Sequence, residues 1–121
     1  MKTKKELKEE YNQVKYKMGV FRITNLVNSK VFIGSSLDLS AIWYAQKLQL
    51  GMGIHSNKEL QKDWNHFGSE NFMYEILEEL KQSDDAKVDF NKEVKAIEDL
   101  LIEELQPFED KGYNVRRKQK N

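Results

Sequence analysis

Few residues in this chain are equipped for chemistry, and their types narrow what it can do. There is no cysteine and there are two histidines among 121 residues, so thiolate catalysis, thiolate metal sites and disulfide frameworks are excluded within it. His55 precedes a helix start and His66 sits towards a helix end. Read alone, each is a cap or surface residue. Glu98 lies in a stretch from Glu75 to Asp110 where thirteen acidic residues face four lysines, and by itself it reads as a solvated carboxylate. Positive charge gathers at the two ends, in Lys2, Lys4, Lys5, Lys8, Lys15 and Lys17, and in Arg116, Arg117, Lys118 and Lys120. Net charge is zero. Because phosphate contacts dominate nucleic-acid affinity, distribution bears on such a partner more than the sum does, and charge alone decides nothing.

The elements that must position these groups follow from residue spacing. Leu7, Tyr11, Val14 and Met18 form the stripe of an amphipathic helix over 3–18. Gly19 breaks that pattern. Val20 to Thr24 and Lys30 to Gly34 have strand composition around an Asn25-to-Ser29 turn, which predicts an antiparallel hairpin. Ser35, Ser36 and Asp38 offer N-cap oxygens to a helix from about Leu39 to Leu50, which Gly51-Met52-Gly53 ends. Ser56 or Asn57 caps a helix carrying Leu60, Trp64 and Phe67, closed by Gly68. Phe72 to Leu77 alternates as a third strand, and Asp84 to Leu105 has helical periodicity up to Pro107 and Gly112. Trp43 and Trp64 fall on apolar stripes and are expected in the core.

One domain with short extensions is expected from this length, as an α+β arrangement with a small three-stranded mixed sheet flanked by helices. The divisions are an N-terminal amphipathic helix over 1–18, a central domain over 19–114 and a basic tail over 115–121. With 39% hydrophobic and 33% charged residues, the composition is that of a globular protein. The first segment has no apolar run of signal or membrane-spanning length. No membrane association and a cytoplasmic location are the expectations.

The hairpin carries a second signal. Gly19-Val20-Phe21 and Phe32-Ile33-Gly34 resemble variants of the two signatures of the GIY-YIG nuclease family. Arg22-Ile23-Thr24-Asn25 and the run from Asn28 to Ser36 follow the family's hairpin wording. Leu60 to Gly68, and Glu70-Asn71-Phe72 with Ile76-Leu77-Glu78-Glu79, resemble its later helix and third strand. Each piece is short, but five in order are specific. The similarity spans roughly Gly19 to Asn114.

That resemblance implies phosphodiester hydrolysis in DNA with Mg²⁺ or Mn²⁺. It implies a site of two tyrosines, an arginine, histidines, a metal-binding glutamate and an asparagine. A phenol can move a proton from the attacking water, an arginine can neutralise the phosphate, and a carboxylate can hold the metal. Carried over residue by residue, the metal glutamate is Glu98, the asparagine Asn114 and one histidine His55. The two tyrosines are Phe21 and Phe32, the arginine is Ile42, and the later histidine of that helix is Gln46. Losing positioned acid–base help costs about 10² to 10⁴ in rate and losing a charge-stabilising donor about 10² to 10³. Since such effects are not additive, a loss of roughly 10⁴ is expected.

Nearby replacements are few. Tyr44 and Lys47 lie off the Ile42 face of their helix, and Arg22 points to the other side of the sheet. Rescue from these neighbours is not expected, and Tyr11 and Tyr16 of the N-terminal helix are the other phenols that could reach the site. Lys47, Arg116, Arg117 and Lys118 are candidate nucleic-acid contacts. Two readings stay open: an attenuated nuclease acting on DNA, or a non-catalytic module binding DNA, RNA or a protein on the same fold. Spacing does not indicate an oligomeric state.

Overall fold

In a computed structural model of the chain, residues 3, 16–81 and 87–116 are described. The N-terminal helix expected over 3–18 falls almost wholly outside them. Its last expected member, Met18, instead opens a strand. Met18 is buried and pairs with Leu80 across the sheet, so strand pairing takes it rather than the helical stripe.

Strands β1 (Met18–Asn25) and β2 (Val31–Ser36) form the expected hairpin. Asn25 builds its turn. Its side-chain oxygen accepts from Val27 N at 2.9 Å, and its carbonyl accepts from Ser29 N. Ser29 adopts a left-handed conformation, φ 67°, and the Asn28 side chain accepts from Lys30 N, the local bonding that favours Asn and Ser in turns.

Helix α1 (Leu39–Met52) starts on Asp38, whose carboxylate accepts from Ala41 N, and ends at Gly53 with φ 76°. Helix α2 (Lys58–Phe67) starts on Asn57, whose side chain accepts from Leu60 N, and ends at Gly68. After one 3-10 turn, β3 (Phe72–Leu80) runs three residues beyond the expected strand. Helix α3 (Phe90–Leu105) starts at the Asp89 cap rather than at Asp84. Residues 82–86 lie outside the described part.

The α+β class is as expected. The sheet is antiparallel in both of its strand pairings, not mixed, with order β2-β1-β3. The reason is topological. β2 and β3 run in the same direction and would pair in parallel as neighbours, but β1 lies between them. A lone parallel bridge, Val31 to Gly112, lies outside the named strands.

Side-chain alternation splits the sheet's two faces. Phe21, Ile23, Phe72 and Tyr74 meet Leu39, Leu50, Leu60 and Trp64 beneath α1 and α2, with Trp43 packed against the cluster. Val20 and Ile33, on the other face, are buried where α3 packs with its buried Val94. The sheet is thus covered on both sides, and β2 is an edge strand whose outer flank is open to side chains from elsewhere in the chain.

Candidate functional site

Both signature glycines of the hairpin are demanded by close approach. A Cβ on Gly34 would stand 2.5 Å from Phe21 Cζ, because the Phe21 ring lies across the glycine of the facing strand. Gly19, at φ 155°, would drive a Cβ into the Glu78 carbonyl oxygen, beside the register shift between Val20 and Phe21. Each glycine therefore serves the packing of the sheet, whether or not a phenol is present.

Around Phe21 the surroundings are aromatic. Phe32 lies 6.4 Å away between ring centroids and Tyr74 lies 5.6 Å away. Tyr74 stacks on Trp43 at 4.9 Å, and its hydroxyl donates to the Leu39 carbonyl at 2.6 Å. Burial, reinforced by Asp38, pushes the Tyr74 pKa up to about 12. This is the phenol that sequence reasoning missed. The alternation of Phe72, Tyr74 and Ile76 was visible, but the register that sets Tyr74 beside Phe21 was not. Its proton is committed to a backbone carbonyl.

Ile42 packs half-buried against the same core, and Tyr44 faces solvent, 70% exposed, as the helical angle predicted. Tyr16 lines a surface cleft with Asp38 and Ala41 at the start of α1. Tyr11 lies outside the described residues.

His55 is brought edge-on to Phe32, 5.8 Å between centroids. It is almost fully buried. Its Nδ1 accepts from Asn57 N at 3.0 Å. A backbone N–H can only donate, so Nδ1 is unprotonated and Nε2–H donates to Gln46 Oε1. Burial lowers the His55 pKa against the opposing Asn57 hydrogen bond. The result is a neutral imidazole in one tautomer, its single N–H taken by Gln46, which the sequence resemblance matches to a histidine.

Glu98 projects from α3 to the other side of the same edge strand. Its Oε2 accepts from Ser35 Oγ at 2.7 Å and lies 3.4 Å from Lys95 Nζ, with the side chain 13% exposed. Ser35 follows Gly34, so its side chain points away from the Phe21 face. Asn114 clamps the edge itself: its Oδ1 accepts from Ile33 N and its Nδ2 donates to Ile33 O, both at 2.9 Å. One residue earlier, Tyr113 N donates to Val31 O. Residues 112–114 thus satisfy the outward backbone of an otherwise bare edge strand, which gives Asn114 a structural purpose. Phe21, Phe32, Ile42 and His55 converge on one face, Glu98 approaches from the other, and Asn114 lies along the rim between them.

The candidate nucleic-acid residues do not converge. Lys47 extends over the Trp43 ring at 5.1 Å. Arg116 makes a two-point pair with Glu109, at 3.0 and 3.2 Å, while its guanidinium lies 4.3 Å over the Phe108 ring. Arg117 and Lys118 are outside the described residues.

Comparison with known proteins agrees with this geometry. The chain is 32% identical over 99 residues to "Intron-associated endonuclease 1" of Enterobacteria phage T4, covering 82% of this chain and 37% of that protein. Its structure superposes on the catalytic domain of the homing endonuclease I-TevI with TM-score 0.68 at 30% identity, covering 83% of this chain and 99% of that one. A mutant form of that catalytic domain gives TM-score 0.69 at 29% identity, covering 85% and 97%. The chain belongs to the GIY-YIG nuclease family. It spans little more than a third of the curated relative it matches, and no family profile matches it.

The scaffold is that of the GIY-YIG family, and the positions that the sequence resemblance matches to its two tyrosines and arginine hold Phe21, Phe32 and Ile42. The metal implied by the family is testable on the donor set. No cluster of three or more His, Asp or Glu side chains able to hold a metal occurs among the described residues. Mg²⁺ does not need one, since a single carboxylate with waters and substrate oxygens suffices. Glu98 is such a carboxylate, partly open to solvent, with both of its described hydrogen bonds on Oε2. The donor chemistry fits, while the Lys95 ammonium competes for the same oxygen. No helix among the described residues is long and apolar enough to cross a membrane.

Proposed function

We propose that this GIY-YIG domain binds DNA while hydrolysing it about 10⁴-fold or more below a site carrying both tyrosines and the arginine. One observation supports this reading above the others. On the Phe21 face, each position where the family handles protons or charge is either a packed apolar side chain (Phe21, Phe32, Ile42) or committed, as His55 is to Gln46. In such a site Glu98 would hold Mg²⁺ or Mn²⁺, which would supply Lewis-acid polarisation of a phosphate oxygen. Ser35 would orient the Glu98 carboxylate by the hydrogen bond it already donates. The lack of cysteine suits a reducing compartment, and we place the protein in the cytoplasm.

The test measures binding and turnover in one mixture. A short DNA duplex with the protein in Mg²⁺ is expected to show affinity that falls steeply with salt, and no product on a denaturing gel. Rapid multiple turnover would overturn the reading. A protein partner is the second reading, favoured by the outer face of α1. Tyr44, Leu48 and Met52, at i, i+4 and i+8, are 70%, 53% and 63% exposed there. That reading takes over if no DNA is bound at low salt.

A further inference from the structure

We infer that the groove along the outer face of α2 is a track for the phosphodiester backbone of DNA, separate from the Phe21 and Glu98 site. The inference rests on the reading that this domain binds DNA, and it says where. The sequence points to Lys47, Arg116, Arg117 and Lys118; Lys47 lies over Trp43, Arg116 is paired with Glu109, and Arg117 and Lys118 lie outside the described residues. The structure offers a different set of basic side chains, of which Lys58 and Lys62 carry the argument.

The groove encloses about 790 Å³ between α2 and the β1–β2 turn, and Lys30, Lys58, Lys62 and His66 are among the residues that line it. Lys58, Lys62 and His66 stand at i, i+4 and i+8, so they form one stripe with successive members about 6 Å apart along the helix axis. The stripe is roughly 12 Å long, the rise of three to four nucleotides of one strand at about 3.4 Å each. All three side chains are exposed. Among the described residues neither Lys58 nor Lys62 makes an ion pair.

Of the two acids on α2, Asp63 lines the groove and Glu59 lies outside its lining. Asp63 accepts from the Tyr113 hydroxyl at 2.6 Å and from Asn28 at 3.3 Å, and Glu59 pairs with Lys30 at 3.5 Å. Lys30 in turn lies 4.8 Å over the Tyr113 ring, which fixes it at the groove's end, two residues from Phe32. The opposite side of the molecule repels. β3 and α3 between them carry eight acidic residues against two lysines, so an approaching polyanion is steered towards α2 and away from α3.

Binding of a fluorescent DNA duplex, measured by anisotropy between about 50 and 200 mM salt, tests the assignment. The variants are Lys58→Ala, Lys62→Ala and the double substitution, with Lys92→Ala on α3 as control. Thermal melts confirm that all fold alike. The double variant should lose about tenfold in affinity at the low-salt end, and its salt slope should fall by about two, one per phosphate contact removed. The control should match the parent. Equal binding by parent and double variant would overturn the groove while leaving DNA binding intact. Absence of parent binding at low salt would overturn both, and stronger binding to an RNA duplex of the same sequence would overturn the choice of DNA.

Discussion

The imidazole of His55 has one N–H to give, and Gln46 takes it. Its other nitrogen is occupied by the Asn57 amide, so the ring can accept a proton only by breaking a backbone hydrogen bond. This couples folding to pH. Burial holds the folded pKa below the ordinary 6.5, so between those two values unfolding takes up a proton. The stability that neutral His55 contributes is complete above about 6.5 and is lost as pH falls through the lower folded-state value. Urea midpoints recorded from about pH 7.5 down to about pH 5 should therefore fall in the parent and fall less steeply in His55→Gln. Parallel curves would show that His55 is not the group responsible. The position of His55 was legible in the sequence, whereas its tautomer and its bond to Gln46 depend on a turn whose path the sequence pattern leaves open. Glu98 is similar: its place in an acidic helix was readable, and its contact with Ser35, 63 residues away, was not.

The hairpin explains why the glycines persist where the phenols do not. Gly34 makes room for the Phe21 ring and Gly19 for the Glu78 carbonyl, constraints of backbone approach that are independent of catalysis. Gly34→Ala should cost about 1–3 kcal/mol through overpacking against Phe21, read as a lowered urea midpoint. Adding Phe21→Leu should recover part of the loss, because the shorter side chain vacates the space. A Gly34→Ala midpoint unchanged from the parent would contradict the packing. At this scale the helices and the hairpin were legible because periodicity, caps and breakers are local: Asp38, Asn57, Gly53 and Gly68 all act where their spacing places them. The pairing of β3 with β1, and the Asn114 clamp on Ile33, are long-range contacts that leave no local pattern. Element order alone led to the expectation of a mixed sheet, because it does not say that β1 lies between β2 and β3.

Across the whole molecule, a nuclease-family scaffold surrounds a centre packed with aromatic and apolar side chains. The aromatic chain from Trp43 through Tyr74 and Phe21 to Phe32 and His55 runs beneath α1 as continuous core. Charge is divided between an acidic β3–α3 side and a groove on α2 in which Lys58 and Lys62 make no ion pair among the described residues. The family was legible from five short stretches in order, and the substituted positions were legible from the same alignment. The contact of Tyr74 with Phe21 and the bond between Gln46 and His55 were not, because each joins residues from separate segments. The most direct measurement is nicking of supercoiled DNA at equimolar protein in Mn²⁺, comparing the parent with Glu98→Ala. The two proteins should be indistinguishable and close to the protein-free rate. Metal-stimulated nicking by the parent that Glu98→Ala abolishes would contradict the account.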